Sequence, residues 1–234
     1  YKRFFSHFFM AFLGVGFFVG IKATSPDMIM SLDKYFDKHK AYDIEIASTL
    51  GFTEKDIKEI GRFENVEAVI GSYMRDNYLK VDSKESVVRI LGIGDNLNEL
   101  YVKDGRLPKN DKEVVVESKL LRDNNLKIGD FVSIGGTNND SDNFKIVGVI
   151  VSPLYFSMDR GMTNIGNGQV KYYVYVSDSV VKNDYYTHIY LTVNGASDCI
   201  TNSELYKDKV YDVKKELSSI KKDLEERRFE EVYG

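Results

Sequence analysis

Any chemistry in this chain would have to come from few residues. The three histidines, His7, His39 and His188, lie far apart, and none stands at metal-ligand spacing from another or from the single cysteine, Cys199. His188 opens the strand-like stretch HIYLTV with no Ser, Cys or Asp placed by a motif to make a nucleophile–base pair, so it reads as a satisfied or surface histidine. Asp140 and Asp142 could suggest calcium, but the stretch from 135 to 143 lacks the glycine and closing Glu of an EF-hand loop and reads as a solvated hairpin tip. Gly92 and Gly94 imitate the start of a phosphate loop, yet the third glycine and the following helix are missing, which leaves turn residues. Glu113 and Glu117 bracket the strand EVVVE, and Arg106 is placed to pair with one or the other across a small sheet. No Ser-His-Asp, Cys-His or paired-carboxylate constellation emerges, so the chain is not expected to be an enzyme and calls for no cofactor or metal.

The element that positions everything else is the apolar run Phe4–Ile21, which holds no Asp, Glu, Lys or Arg. As a helix it would cover roughly 27 Å, close to the ~30 Å hydrocarbon core of a bilayer. Lys2 and Arg3 precede it, and positive charge beside a span favours the cytoplasmic side, which puts the rest outside. A cleaved signal peptide usually has a shorter apolar core, and Lys22 falls where its cleavage site wants small residues. A buried soluble helix would more often show a polar face. Gly16 and Gly20 make a small-xxx-small pair that lets a second helix approach closely in lipid; the alternative is a lone anchor whose glycines touch nothing. The start at Tyr1 rather than Met reads as part of a longer protein.

The remaining chain can bury a core and stay soluble, with 43% hydrophobic and 29% charged residues overall. A net charge of -4 argues against a nucleic-acid footprint. One cysteine excludes an internal disulfide, and 16 Tyr with 14 Phe but no Trp predict aromatic-rich strands.

In order, Ser25-Pro26-Asp27 predicts a new helix start, and Asp43–Ser48 alternates as a half-buried strand. Thr53-Glu54-Lys55-Asp56 predicts a capping box with Asp in the usual Glu place. Val66–Ile70 and Tyr73–Val81 complete a β-α-β unit, and Ser86–Ile93 follows. Short strands and turns then run to Val151, with Phe144–Val151 the strongest buried strand. Ser157–Gln169 reads equally as a functional or a disordered loop. Lys171–Val176, a short helix and His188–Val193 predict a second β-α-β. From Ser203 one long helix carries Tyr206, Val210, Val213, Leu217, Ile220 and Leu224 at coiled-coil spacing; an ordinary amphipathic helix packed on the domain is the alternative.

At Gly105-Arg106, Glu113-Val-Val-Val-Glu117, Leu126-x-x-Gly129-Asp130 and Phe144-Lys-Ile-Val-Gly148-Val149, the order of pieces resembles the extracytoplasmic core domain of FtsX-like (MacB-type) permease subunits of ABC transporters. Gly14-Val15-Gly16-Phe17-Phe18-x-Gly20-Ile21-Lys22-Ala23 is similar to the first membrane helix of bacterial members. The resemblance implies an α+β chain: a transmembrane helix over 1–25, a core domain over 26–202 of two β-α-β lobes with a β-rich insertion near 100–151, and a long helix over 203–234 that starts a coiled-coil stalk. Gly105, Arg106, Glu113, Glu117, Gly129, Asp130 and Gly148 would be fold signatures, and Gly16 and Gly20 helix-packing positions.

The same resemblance implies a cell-membrane protein with its globular part outside the cytoplasm. Its partners would be membrane lipid, a separate ABC ATPase subunit that holds the ATP, a permease dimer or second permease half, and a helical stalk partner. The outer domain would couple cytoplasmic ATP hydrolysis to export, extraction or signalling. The competing reading is the ligand-sensing ectodomain of a membrane receptor such as a sensor kinase; a surface hydrolase lacks any supporting constellation.

Overall fold

The computed structural model describes residues 1–82, 84–135, 142–157, 159–181 and 185–234. Asp140 lies outside them, as do the side chains of Asp142 and Ser25. The chain divides into two units, Tyr1–Lys38 and His39–Gly234.

The first unit is one helix, α1 (Lys2–Lys38). Among the described residues it is the single helix long and apolar enough to cross a membrane. Its large apolar side chains point outward without cover, with Phe17 73% exposed. Nothing lies within 4 Å of where a Cβ would stand on Gly16 or Gly20, so that face is open to a close neighbour. The helix break expected at Ser25-Pro26 does not occur, because α1 continues through Pro26. Proline removes a single N–H from the ladder, the one that would bond the Lys22 carbonyl, and in the turn before it Thr24 Oγ1 donates to the Gly20 carbonyl at 2.7 Å.

The second unit holds two strand systems. One is a three-stranded antiparallel sheet, β1 (Ile44–Phe52), β10 (Tyr186–Val193) and β2 (Val66–Ser72), with β10 in the middle. Between β1 and β2 lies α2 (Glu54–Ile60), whose Thr53–Asp56 capping box forms as expected, Thr53 N–H donating to Asp56 Oδ2 at 2.7 Å.

The other system contains β3 (Met74–Val81), β4 (Lys84–Gly92), β5 (Tyr101–Gly105), β6 (Glu113–Glu117), β7 (Phe131–Gly135), β8 (Asp142–Val151) and β9 (Tyr172–Val176). Strand β8 is long enough to pair β6 on one side and, on the other, β7 with its first residues and β5 with its last. The β7–β8 pairing closes β8-β6-β9-β4-β3-β7 into a small barrel, with β5 appended. Alternation then sorts the side chains of β9. Tyr172, Val174 and Val176 join Leu79, Val88, Ile90 and Phe144 in one core, while Tyr173 and Tyr175 join Leu91 and Ile150 in another. Short helices α3 (Ser118–Asn124) and α4 (Asp178–Val181) cover barrel ends through Leu120 and Val181.

The mixed α+β architecture is present, but the strands are shared out differently from two sequential β-α-β lobes. β3 leaves β2 and pairs β4 and β7 instead. Strands of the expected insertion close the barrel together with β3, β4 and β9 rather than forming a sheet of their own. β9 and β10, read as one β-α-β, lie in different sheets. A period-2 pattern gives each strand its buried faces without naming its neighbour, so sequence neighbours were the wrong guide here.

The long helix α5 (Glu204–Tyr233), capped by Ser203, corrects the stalk expectation. Val210 and Val213 are buried against Ile44, Ile189, Leu191 and Val193, with Leu217 and Ile220 packed on the same cluster. Tyr206 Oη donates to Asp43 Oδ1 at 2.8 Å at one end, and Arg228 Nε donates to the Leu50 carbonyl at 2.9 Å near the other. The helix therefore runs alongside β1 in the same direction. Its apolar seam is covered mainly by the chain's own sheet, because that three-stranded sheet would otherwise leave one apolar face bare.

Candidate functional site

The signature residues fall into two structural devices. Gly105 and Gly148 sit opposite each other in the β5–β8 ladder, and each excludes a side chain for the sake of the other strand. A Cβ on Gly105 (φ 76°) would stand 2.3 Å from the Val147 carbonyl, and one on Gly148 would stand 2.4 Å from the Arg106 carbonyl. Next to them Arg106 grips Glu113 through two bonds of 2.6 Å, and Lys109 N–H adds a third at 2.8 Å. The Arg106 guanidinium, aided by that amide, holds the Glu113 carboxyl down to about 2. Gly129 takes φ 102°, and Asp130 pins the same turn by accepting from Lys127 N–H at 2.9 Å. These residues shape loops, and none faces a reactive group.

Glu117 is different, since its partner is Arg160. Arg160 Nη2 and Nε donate to its two oxygens at 2.6 and 3.3 Å, and the Tyr173 amide adds 3.2 Å. The guanidinium lies over Tyr173 and Tyr155, 5.0 and 5.8 Å from the ring centroids. Burial works against its charge, but Glu117 outweighs that and raises its pKa. A second pair supports the same loop: Arg89 bonds Asp76 at 2.7 and 2.8 Å and donates to the carbonyls of Arg160 and Met162. The 159–169 stretch is thus strapped to the barrel wall by two arginine–carboxylate pairs. Sequence reading missed both. Asp76 and Arg89 directly face each other in the β3–β4 hairpin, so a correct turn position would have revealed that one.

The segment after α1 is anchored with similar thoroughness. His39 Nδ1–H donates to the Glu99 carbonyl at 3.0 Å, and Lys40 pairs with the Glu99 carboxylate at 2.7 Å. Tyr42 N–H donates to Asn98 Oδ1 at 3.0 Å. Asp43 accepts from Val193 N–H and Tyr206 Oη, tying the ends of β1, β10 and α5 together. Burial raises its carboxyl pKa while these two donors oppose the rise. His39–Asp43 therefore touches the loop that leads into β5 and the three-stranded sheet at once.

His188 cannot serve as a general base for its neighbour. Thr187 Oγ1 gives its proton to the Ser72 carbonyl (3.3 Å), so it accepts from His188 Nδ1–H at 2.9 Å. Nε2 lies 3.8 Å from Glu45, and the ring stacks on Tyr190. Burial lowers its pKa against the pull of Glu45. Cys199 is free and half-buried. Among the described residues no group of His, Cys, Asp or Glu could hold a metal ion.

Three cavities stand out among the described residues. One, of about 560 Å³, lies between the three-stranded sheet and the barrel, with Ser72, Leu91, Leu154, Tyr175 and Tyr190 in its wall. A polar one of about 850 Å³ is bordered by the strapped loop. The third, about 920 Å³, is a groove between β1 and α5.

Fold and geometry together define an α+β module preceded by a membrane-compatible helix. No family model matches the chain, and no curated protein matches it. Among solved structures it is similar to the extracellular domain of the noncanonic ABC-type transporter YknZ from Gram-positive bacteria, at 17% identity over 63% of this chain and 75% of that one, TM-score 0.42. It is also similar to the periplasmic region of MacB from Actinobacillus actinomycetemcomitans, at 15% identity over 77% of this chain and 84% of that one, TM-score 0.41.

Proposed function

We propose that this chain is the first membrane helix and outer domain of an FtsX-like ABC transporter permease subunit, which couples ATP hydrolysis on a separate subunit to export, extraction or signalling at the outer membrane face. The observation that carries this reading is the anchoring of His39–Asp43. The chain leaving α1 is bonded within five residues to the loop that leads into β5 and to the three-stranded sheet, an arrangement suited to delivering force. The order of the Gly105, Glu113, Gly129 and Gly148 pieces is the second support. In this reading lipid surrounds α1, the ATPase binds at the cytoplasmic face, a second permease copy or half completes the transporter, and no cofactor resides in this domain.

The test is to express the full-length gene product with an epitope on this domain, map which side of the membrane it occupies, and identify what co-purifies. An outer domain, three further spans and an ABC ATPase among the partners bear the reading out. A single further span leading to a signalling helix would replace it with the sensor ectodomain.

A further inference from the structure

We propose that His188 is a pH-sensitive latch between the three-stranded sheet and the barrel, and that protonating it lets the two turn apart about Tyr73. The chain passes from β2 to β3 through that single residue, Ser72 ending one strand and Met74 opening the other. Thr187 clamps the crossing. Its Oγ1 accepts from Met74 N–H at 2.9 Å and donates to the Ser72 carbonyl at 3.3 Å. Its remaining lone pair takes His188 Nδ1–H at 2.9 Å, so the neutral ring carries its proton on Nδ1 and leaves Nε2 bare.

His188 stands where sheet and barrel meet. Along β10, Ile189, Leu191 and Val193 pack in the cluster that α5 covers, which turns His188 and Tyr190 to the opposite face. On that side lies the cavity of about 560 Å³ between sheet and barrel, with Ser72 and Tyr190 in its wall. The His188 side chain is only 18% exposed. Glu45 of β1 lies 3.8 Å from Nε2 and also accepts from Tyr190 Oη at 3.2 Å. Asp76 of β3 and Arg89 of β4 act on the ring from the barrel.

These neighbours decide what a proton on Nε2 does. Glu45, the nearest anion, belongs to the same sheet as His188 and stays beside it when the barrel moves away, so it does not hold the two parts together. Asp76 is taken up by Arg89 through two bonds, and that pair offers no spare negative charge. What closure adds is mainly loss of water around the ring, which disfavours the imidazolium, and opening restores that water. Nδ1–H stays on Thr187 in both charge states, so the clamp survives and the motion is a rotation, not unfolding. The bonds from Lys40 and Tyr42 land on Glu99 and Asn98, in the loop before β5 and not in a barrel strand. The inference does not depend on the transporter reading, because it uses only this interface.

The test uses the full chain in detergent, with Cys199→Ser to remove the native thiol and spin labels on Glu67→Cys in β2 and Lys145→Cys in β8, both exposed positions. The distance between the labels is measured at pH 7.5 and at pH 5. A ring with its ordinary pKa when open, and unprotonated when closed, raises the open fraction by up to about thirtyfold at pH 5. The distance distribution should therefore gain a second population at pH 5 and lose it on return to pH 7.5. His188→Gln, which keeps a donor for Thr187, should give one distribution at both. Circular dichroism at pH 5 checks that the chain is folded. An unchanged distribution in the parent, the same shift in His188→Gln, or loss of the fold at pH 5 would each overturn the proposal.

Discussion

Arg160 and Glu117, 43 residues apart in sequence, hold each other through two hydrogen bonds with side chains only 7% and 4% exposed. A buried ion pair contributes little against a matched apolar pair, but removal of one partner strands the other charge. Here the pair also fixes the loop, since Arg160 Nη1 donates to the Ser157 carbonyl and Arg89 holds the Arg160 carbonyl.

Glu117→Ala should therefore destabilise the domain by about 3 to 5 kcal/mol, and Glu117→Leu with Arg160→Met by clearly less than the single change. Chemical unfolding of these two variants against the parent measures this. Equal losses in single and double variants would show that the pair does not act as a unit.

Glu113 provides the acid limb of the stability curve. Its carboxyl titrates at about 2 in the fold against an ordinary 4.5, so the Arg106 pair is fully formed above pH 4.5 and its contribution falls away as pH drops toward 2. Melting temperature should decline across that window, and Glu113→Gln should flatten the decline while lowering stability at neutral pH. An unchanged slope in the variant would contradict the assignment.

His188 acts with the opposite charge but the same direction. Burial lowers its pKa, with Arg89 adding to that and Glu45 and Asp76 opposing it, so below the ordinary value of 6.5 the unfolded chain takes up a proton more readily than the fold does. Stability should be fully present above pH 6.5 and fall as pH drops below it. In His188→Gln, which keeps a donor for Thr187, melting measured from pH 7.5 to 5 should vary less than in the parent.

The Gly105–Gly148 crossing should reject side chains. Gly105→Ala and Gly148→Ala each drive a methyl into backbone, and each should cost about 2 kcal/mol or more. Gly129→Ala has nothing within 4 Å and strains only its φ, so its cost should be nearer 1 kcal/mol. Thermal melts of the three variants give the ranking, and a Gly129 variant at least as damaged as the others would refute it.

Helix α5 should protect the sheet it covers. Val213 is fully buried, and Val213→Ala should cost roughly 2 kcal/mol. Hydrogen exchange should show slow amides at Val210 and Val213, and truncation before Ser203 should speed exchange in β1 and β10. Fast exchange along the whole of α5 would restore the projecting stalk.

The sequence by itself determined what depends on near neighbours. The uncharged run Phe4–Ile21, the Thr53–Asp56 box, the alternating strands and the Ser203 cap each arise within a few residues, where spacing alone sets which atoms can meet. One of the two alternatives for Arg106, Glu113, was also within reach, being seven residues away. Tertiary structure decided the rest: that β3 pairs β4 and β7, that β9 and β10 belong to different sheets, that Glu117 meets Arg160, and that α5's seam faces β1 and β10 rather than a stalk partner. An alternating strand or an apolar helix stripe specifies that a face must be buried, not what buries it. Only closing the barrel brings residue 117 to residue 160, and only placing β10 between β1 and β2 creates the surface on which α5 lies.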